Sequence, residues 1–443
     1  MSDKPLCLVT APVATRSGYG SHSRDICRSL IKLDRFDVKI WPVRWGNTPM
    51  NALDPNDEND KPIVDRLLDA PDLPKQPEVH IHIVIPNEFS TVGKYNIGIT
   101  AGVETTVCPS DWIQGMNRMD LNIVPSNFVK EVMLSTKFDS LNDQTQEKIG
   151  ELSVEKPIEV LFEGVDSTIF KKTKEFSKEL VDEFEKIEEK FCFLYVGHWL
   201  QGGLGVDRKD TGMLIKVFLE TFKNKPVKPA LVMKTSGATL SVLDREDILE
   251  KIQHIKNSVK GDLPSIYLLH GDFTDIEMNE LYNHPKVKAH VTLTHGEGFG
   301  RPLLEATISE KPVIAPGWSG HCDFLHPDQA ILLGGSMSRV EKDSFQENIW
   351  VDGAEWFTAN YMEASNTIKD VYVNYKKYTL SAKKLGIVNK GKFSLDTMTK
   401  KFGKILDDNV PEFPKEVELN LPKLKKTNEN KAPKIKLPKL KRV

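Results

Sequence analysis

The chain has 443 residues, too many for one compact hydrophobic core, so at least two domains are predicted. Its 39% hydrophobic and 28% charged residues are typical of a soluble globular protein. Because the net charge is −3 and residues 421–443 carry a formal +8 from eight Lys, one Arg and one Glu, the preceding 420 residues carry −11. This imbalance excludes a general polyanion-binding body and directs any such contact to the tail or to a local cleft.

Cysteine usage and the N-terminus indicate the compartment. Five cysteines are scattered along the chain without a C-x-x-C pair, which favours a reducing environment and argues against structural zinc. The first residues lack the basic and apolar regions of a signal peptide, and no apolar stretch is long enough to span a bilayer. We therefore expect a cytoplasmic protein.

The first predicted unit is a strand over 6–11, a glycine loop and a helix. Gly18 and Gly20 lie in the loop but do not complete a G-x-G-x-x-G pattern, so a dinucleotide fingerprint is not supported. The alternative is that these glycines form a tight turn that packs on its own sheet.

The predicted strand 79–85 contains His80 and His82 on one face. The absence of a third ligand favours packing of these histidines over metal binding.

The following segment predicts a strand to Thr100, a loop with Glu104, and a helix from about Asp111. A strand over 122–125 and a helix with Ser126 as its N-cap come next. The residues between 47 and 77, rich in Pro, Asp and Asn, predict a long surface connection.

A second block begins with an apolar strand, 191–197, that ends in glycine as a buried parallel strand does. A long loop then precedes a predicted helix over 211–222, with Arg208 and Lys209 at its start. This pair is either an anion clamp or an exposed basic pair beside Asp207 and Asp210. Lys234 follows another strand at its carboxyl end, where open α/β sheets bind ligands.

Residues 291–323 read as a strand, a glycine loop and a helix with Pro302 in its first turn. Such a helix start attracts anions, above all phosphate. Glu297 in the loop and Glu305 on the helix are separated by seven residues. Without further context, Glu305 is a first-turn glutamate favoured by the helix dipole and Glu297 a plain loop carboxylate.

The Glu-x7-Glu spacing and the PVIAP and SG segments that follow resemble retaining glycosyltransferases of the GT-B fold, family four. The resemblance implies that Glu305 binds the ribose hydroxyls of a nucleotide and that Glu297 and the loop amides hold the donor sugar. The corresponding loop residues are Gly298, Phe299 and Gly300. It also implies that Gly18 and Gly20 approach the donor diphosphate or the acceptor.

The same resemblance covers three other segments. It implies that Glu104 faces the transferred sugar from the first domain and that Arg208 and Lys209 clamp the diphosphate. His198 occupies the place where the family usually has an Arg. Glu163 replaces the Asn of the crossover segment NGVD, so a ligand contact there is in doubt.

Repeated strand–loop–helix units predict two doubly wound, Rossmann-like α/β domains facing a central cleft. The expected divisions are an acceptor-side domain over 1–170, a connecting helix over 171–190, a nucleotide-sugar domain over 191–408 and a basic Pro/Lys-rich tail over 409–443. Helices are predicted over 355–378 and 394–406, the last crossing back onto the first domain.

The function predicted from this resemblance is a retaining glycosyltransferase that moves a sugar from a nucleoside-diphosphate sugar to a hydroxyl acceptor. No D-x-D triplet occurs, so a metal-independent reaction without a further cofactor is expected. The acceptor is a glycan, a lipid-linked molecule or a hydroxymethylated DNA base such as large phages carry. Residues 421–443 would contact DNA or an anionic membrane, or form a solvated extension. The alternatives are an epimerase of the same fold and a non-catalytic binding protein.

Overall fold

The computed structural model describes residues 4–142, 144–145, 147–200, 202–237, 239–344 and 349–414. Two parallel six-stranded sheets, flanked by helices, form two α/β domains, and this prediction is confirmed. The tail segment 421–443 lies outside the described residues.

The first domain is built on a sheet of order β2-β1-β3-β4-β5-β8, and a separate hairpin, β6-β7, extends from it. Its central strands are buried along almost their whole length, as the apolar runs predicted. In chain order its elements are β1 (Leu6–Ala11), α1 (Gly18–Leu33), β2 (Asp37–Pro42), α2 (Lys61–Val64), β3 (Val79–Ile83), β4 (Tyr95–Ile99), α3 (Ser110–Arg118), β5 (Leu121–Val124), α4 (Asn127–Ser135), β6 (Phe138–Leu141), β7 (Lys148–Leu152) and β8 (Ile158–Val160).

The second domain has a sheet of order β11-β10-β9-β12-β13-β14 and a two-stranded ribbon, β15-β16. Its elements are α5 (Lys178–Glu185), β9 (Cys192–His198), α6 (Thr211–Phe222), β10 (Ala230–Ser236), α7 (Val242–Ser258), β11 (Ile266–Leu269), α8 (Asp275–Asn283), β12 (Val287–Val291), α9 (Arg301–Ile308), β13 (Val313–Pro316), β14 (Ile331–Leu333), β15 (Gly335–Arg339), β16 (Glu355–Ala359), α10 (Tyr361–Val373), α11 (Tyr375–Lys392) and α12 (Leu395–Asn409).

The start of α4 could be predicted from the local sequence. Ser126 caps α4, as predicted, because its hydroxyl accepts a hydrogen bond from the Val129 amide at 3.2 Å. The same hydroxyl donates to the carbonyl oxygen of Gly298 in the second domain at 2.6 Å. This one side chain therefore fixes a helix start and a contact between the domains.

Three element predictions were wrong. The strand expected from residue 291 is β12, which ends there, because the buried run that pairs with the sheet lies earlier. Residues 355–359 form β16 instead of a helix, since they pair with β15. The connecting helix expected over 171–190 is only α5, with irregular chain on both sides.

The last helix, α12, packs against α1 of the first domain. The hydroxyls of Thr399 and Ser29 are 2.8 Å apart, and Arg35 forms an ion pair with Asp407. A Cβ on Gly403 would lie 2.9 Å from a methyl carbon of Leu33, so the two helices approach closely. Among the described residues, no helix combines the length and the apolar character needed to cross a bilayer.

Candidate functional site

Three loops from the two domains bring four predicted residues together. Glu104 follows β4, Arg208 and Lys209 precede α6, and Glu297 follows β12. Arg208 Nη1 lies 3.2 Å from Glu104 Oε1 and 3.7 Å from Glu297 Oε2, while Lys209 forms a direct ion pair with Glu297. We call these four residues the loop cluster. It joins a carboxylate of the first domain to three charges of the second.

Charge balance governs protonation in the loop cluster. Burial would raise the pKa of Glu297, but the charges of Lys209 and Arg208 outweigh it and hold the pKa at about 2. Burial raises the pKa of Glu104, and Arg208 opposes this increase. Burial also lowers the pKa of Lys209, with Arg208 adding to the effect. Glu297 is therefore ionised at neutral pH and serves as the counter-ion of Lys209, while Arg208 lies between Glu104 and Glu297.

The glycines of the loop after β12 permit backbone contact between the domains. A Cβ on Gly296 would lie 2.4 Å from the Glu104 carbonyl oxygen, and one on Gly298 would lie 2.0 Å from the Ala101 carbonyl oxygen. Gly300 caps α9 with a φ of 92°, in the left-handed region that favours glycine. These positions therefore demand glycine for close packing and helix entry, whether or not a ligand also approaches them.

A second group, which we call the α9 cluster, surrounds Arg301. Its Nε donates to Glu305 Oε1 at 2.8 Å, and its other guanidinium arm pairs with Asp25 of α1. The Tyr282 hydroxyl donates to Glu305 Oε2 at 3.2 Å. Each carboxylate oxygen of Glu305 therefore accepts one hydrogen bond within the protein, and α9 is tied to the first domain through Arg301 and Asp25.

Arg301 pairs with both Asp25 and Glu305 of the α9 cluster, and Arg28 lies 3.4 Å from Asp25 alone. Burial raises the pKa of Glu305 to about 7, although Arg301 opposes the shift. Glu163, 8% exposed, has its pKa raised to about 7 by burial, again against the effect of Arg301, and Asp25 and Glu305 add to the rise. Unlike the ionised Glu297, both groups titrate near neutral pH.

The other predicted site residues lie around these clusters. Gly18 and Gly20 form the first turn of α1 and not a loop; a Cβ on Gly20 would lie 2.2 Å from the Thr15 carbonyl oxygen. The Phe299 side chain is buried against Phe324, with ring centroids 5.1 Å apart, which leaves its backbone for any ligand contact.

Lys234 donates to the Gly271 carbonyl oxygen at 2.9 Å and lies 5.0 Å from the centre of the Phe273 ring. His198, at the end of β9, is exposed, and its Nδ1 lies 3.1 Å from the Ser236 hydroxyl. Partial enclosure, with Lys209 and Lys234 nearby, lowers the pKa of His198 to about 4, so it is neutral at physiological pH. It therefore supplies no fixed positive charge where the family resemblance implies an Arg.

Strand β16 holds the three loops in place. The Thr106 amide donates to the Glu355 carbonyl oxygen at 2.9 Å, which ties the Glu104 loop to the ribbon. His295 stacks on Trp356 with centroids 4.3 Å apart, and its Nδ1 lies 2.9 Å from the Phe357 carbonyl oxygen. The His295 amide donates to the Arg208 carbonyl oxygen at 3.0 Å. The ribbon thus sets the relative positions of Glu104, Arg208 and Glu297.

The sequence analysis missed Arg301, Asp25 and Tyr282. Arg301 did carry a signal, because a cation in the first turn of a helix opposes the helix dipole and implies acidic partners. Asp25 carries no such signal, since its partner Arg301 lies 276 positions away.

Among the residues that the structure describes, no group of three or more His, Cys, Asp or Glu side chains could hold a metal ion.

Comparison with models of protein families and with curated protein sequences gives no match. Solved structures do match. Anabaena HepE in complex with UDP and glucose is 12% identical, with a TM-score of 0.57 over 91% of this chain and 100% of that one. A glycosyltransferase from Rickettsia africae is 16% identical, with a TM-score of 0.57 over 93% and 100%. Sucrose-phosphate synthase from Thermosynechococcus elongatus is 13% identical, with a TM-score of 0.55 over 91% and 98%. The chain has the GT-B fold.

Proposed function

We propose that this protein is a retaining glycosyltransferase that transfers a sugar from a nucleoside-diphosphate sugar to a hydroxyl acceptor. The observation that carries the proposal is the loop cluster, in which two buried cations and two carboxylates meet between the domains of a GT-B fold. HepE was solved with UDP and glucose, and a UDP-sugar is therefore the first donor to test.

The cations of the loop cluster suit a leaving diphosphate. Arg208 and Lys209 are mostly buried, with side chains 21% and 12% exposed, so their charges are weakly screened. A diphosphate would compete with Glu297 and Glu104 for these two groups. Binding would thus exchange partners, and Glu297 would turn from counter-ion to a group that orients the sugar hydroxyls.

The chain's own charges replace a metal in this proposal. As the bond between sugar and diphosphate breaks, negative charge grows on the phosphate oxygen, and Arg208 and Lys209 stabilise it. In a front-face reaction the departing phosphate accepts the acceptor's proton, and the new bond forms on the same face. Glu297, ionised at neutral pH before the donor binds, would offer its carboxylate oxygens to the sugar hydroxyls.

Glu305 is the proposed ribose ligand. Its carboxyl can accept from ribose hydroxyls in either protonation state and can donate when neutral, which its pKa of about 7 allows. Arg301 and Tyr282 fix its orientation. We keep a glycan, a lipid-linked molecule or hydroxymethylated DNA as candidate acceptors.

The first test is a thermal-shift panel of nucleoside diphosphates and UDP-sugars without added metal, together with hydrolysis of the donor in water. We expect stabilisation by one nucleotide series, and we expect it to weaken in Glu305→Gln. In Glu297→Gln, donor hydrolysis should fall about 100- to 1,000-fold, the scale of one transition-state contact. UDP should bind this variant more tightly, because the cations lose their competitor.

Glu131→Gln is the matched control, since Glu131 is an exposed glutamate on α4. It should leave binding and hydrolysis unchanged. Wild-type protein that responds to no nucleotide, or Glu297→Gln that hydrolyses donor at the normal rate, would remove the assignment. Conversion of the donor to its epimer without acceptor would instead support the epimerase alternative.

A further inference from the structure

Helix α11 carries an unusual set of charges. Residues 375–392 contain six Lys and no Asp or Glu. All six lysines are exposed: Lys376, Lys377, Lys383, Lys384, Lys390 and Lys392. Among the described residues only Lys377 has an acidic partner, Asp370, at 3.1 Å. The outer face of α11 is therefore a concentrated positive surface on a protein whose first 420 residues carry net negative charge.

Exposed apolar side chains run through the middle of this charge. Leu380 is 63% exposed and Ile387 is 59% exposed. They are seven residues apart, so they lie on one line along the helix. Lys376 and Lys383 flank that line on one side, and Lys377 and Lys384 flank it on the other. The arrangement is an apolar stripe between two rows of lysines, which we call the α11 face.

The opposite side of α11 is firmly packed, so its orientation is fixed. A Cβ on Gly386 would lie 2.5 Å from the Thr307 carbonyl oxygen of α9. Asn389 donates to the Thr307 hydroxyl at 3.1 Å and to the Phe324 carbonyl oxygen at 3.2 Å. The exposed stripe cannot turn inward without breaking these contacts.

We propose that the α11 face binds the surface of an anionic lipid bilayer. Lysines on a helix attract anionic headgroups, while Leu and Ile between them enter the boundary between headgroups and acyl chains. The alkyl stem of a lysine can lie along an apolar stripe while its ammonium group reaches the headgroups. The electrostatic and the apolar contacts can therefore form together. A nucleic acid would use the lysines but would gain nothing from Leu380 and Ile387, so the stripe selects the bilayer.

The proposal does not depend on the enzymatic assignment, and it differs from a contact made by the basic tail. The lysines of α11 belong to a folded helix whose buried side rests on α9, the helix that carries Glu305. A bilayer bound there would hold the second domain at the membrane.

The test is co-sedimentation of the full chain with vesicles of phosphatidylcholine alone and with vesicles containing about one-third phosphatidylglycerol. We expect binding to the anionic vesicles only, weakened by salt. Replacing Lys376, Lys383 and Lys384 together by Gln should weaken it about 100-fold, at roughly fivefold per lysine. Leu380→Ser with Ile387→Ser should weaken it about tenfold while leaving all charges in place.

Two control variants match these changes. Lys171, Lys174 and Lys225 are exposed lysines outside α11, and their triple change to Gln removes the same charge. Val242 and Leu243, 71% and 82% exposed at the start of α7, provide the apolar control when both become Ser. Both controls should bind vesicles as the wild type does.

Three results would overturn the proposal. One is normal vesicle binding by α11 variants that fold with an unchanged melting temperature. Another is equal loss in the controls, which would indicate diffuse attraction. The third is binding of a short DNA duplex that needs the three lysines but tolerates serine at 380 and 387, which would make the face a polyanion site.

Discussion

The loop cluster and the α9 cluster both join the two domains, but their charges are balanced in opposite ways. In the loop cluster two cations face two carboxylates, and the pKa of Glu297 falls to about 2. In the α9 cluster Arg301 pairs with Asp25 and Glu305, Arg28 contacts Asp25 alone, and the pKa values of Glu305 and Glu163 rise to about 7. Burial acts on both clusters and raises the pKa of Glu104 as well, so the pKa of Glu297 falls because Lys209 and Arg208 both lie beside it.

This difference separates two roles. A cluster in which two cations face two carboxylates can exchange one anion for another, which is the exchange that the proposed function requires. A cluster short of cations holds a proton near neutral pH and makes the junction between domains sensitive to pH. Single substitutions in the α9 cluster test this difference in charge balance.

The largest effect is expected from Arg301→Met, which removes the cation that joins Asp25 to Glu305. Glu305 would lose its charge partner while staying buried, and Asp25 would keep only Arg28, at a cost of about 3–5 kcal/mol in the free energy of unfolding. Urea unfolding at pH 7.5 measures this. A loss below about 1 kcal/mol would show that the carboxyl groups are already neutral in the wild type. The two clusters would then differ in protonation even more than their pKa values indicate.

Glu163→Gln tests the proton held near neutral pH. Because the folded pKa lies above the unfolded one, the stabilisation from the neutral carboxyl is complete below about pH 4.5 and is lost as the pH rises through about 7. Gln cannot ionise, so the variant should match the wild type at pH 4.5 and exceed it at pH 8 by on the order of 2 kcal/mol.

Urea unfolding of both proteins at the two pH values provides the comparison. Glu131→Gln, at an exposed site, should show no difference from the wild type at either pH. Equal stabilities of Glu163→Gln and the wild type across the range would mean that Glu163 is ionised throughout, as Glu297 is.

The smallest effect is expected from Tyr282→Phe. The change removes the hydrogen bond to Glu305 Oε2 without altering any charge at neutral pH, and it should cost about 1 kcal/mol. The melting temperature measures the loss. If the loss approached that of Arg301→Met, hydrogen bonding instead of charge would govern the cluster.

Much of the fold could be predicted because its signals are local. Strand β9 and helix α6 follow directly from an apolar run and a helical repeat, and Ser126 marks the start of α4. Residues 355–359 were predicted wrongly because only their pairing with residues 335–339 makes them a strand. Trp356, Phe357 and Thr358 do favour a strand, but β-propensity depends on the partner that a segment meets, and that partner lies elsewhere in the chain.

The candidate site divides in the same way. The resemblance brought Glu104, Arg208, Lys209 and Glu297 forward, and the structure places them in contact. The resemblance also named Gly298, because it implied that a ligand approaches this loop. The structure instead shows that the Gly298 backbone packs against Ala101. Whether these residues bind a donor stays a prediction.

The hydroxyl of Ser126 determines how α4 responds when the two domains move apart. It completes the first turn of α4 while it holds the Gly298 carbonyl across the junction. If the domains swing apart, the oxygen keeps its bond to Val129 and exposes its hydrogen to water, so α4 does not fray. The junction can therefore loosen at this point without unwinding secondary structure on the first domain's side.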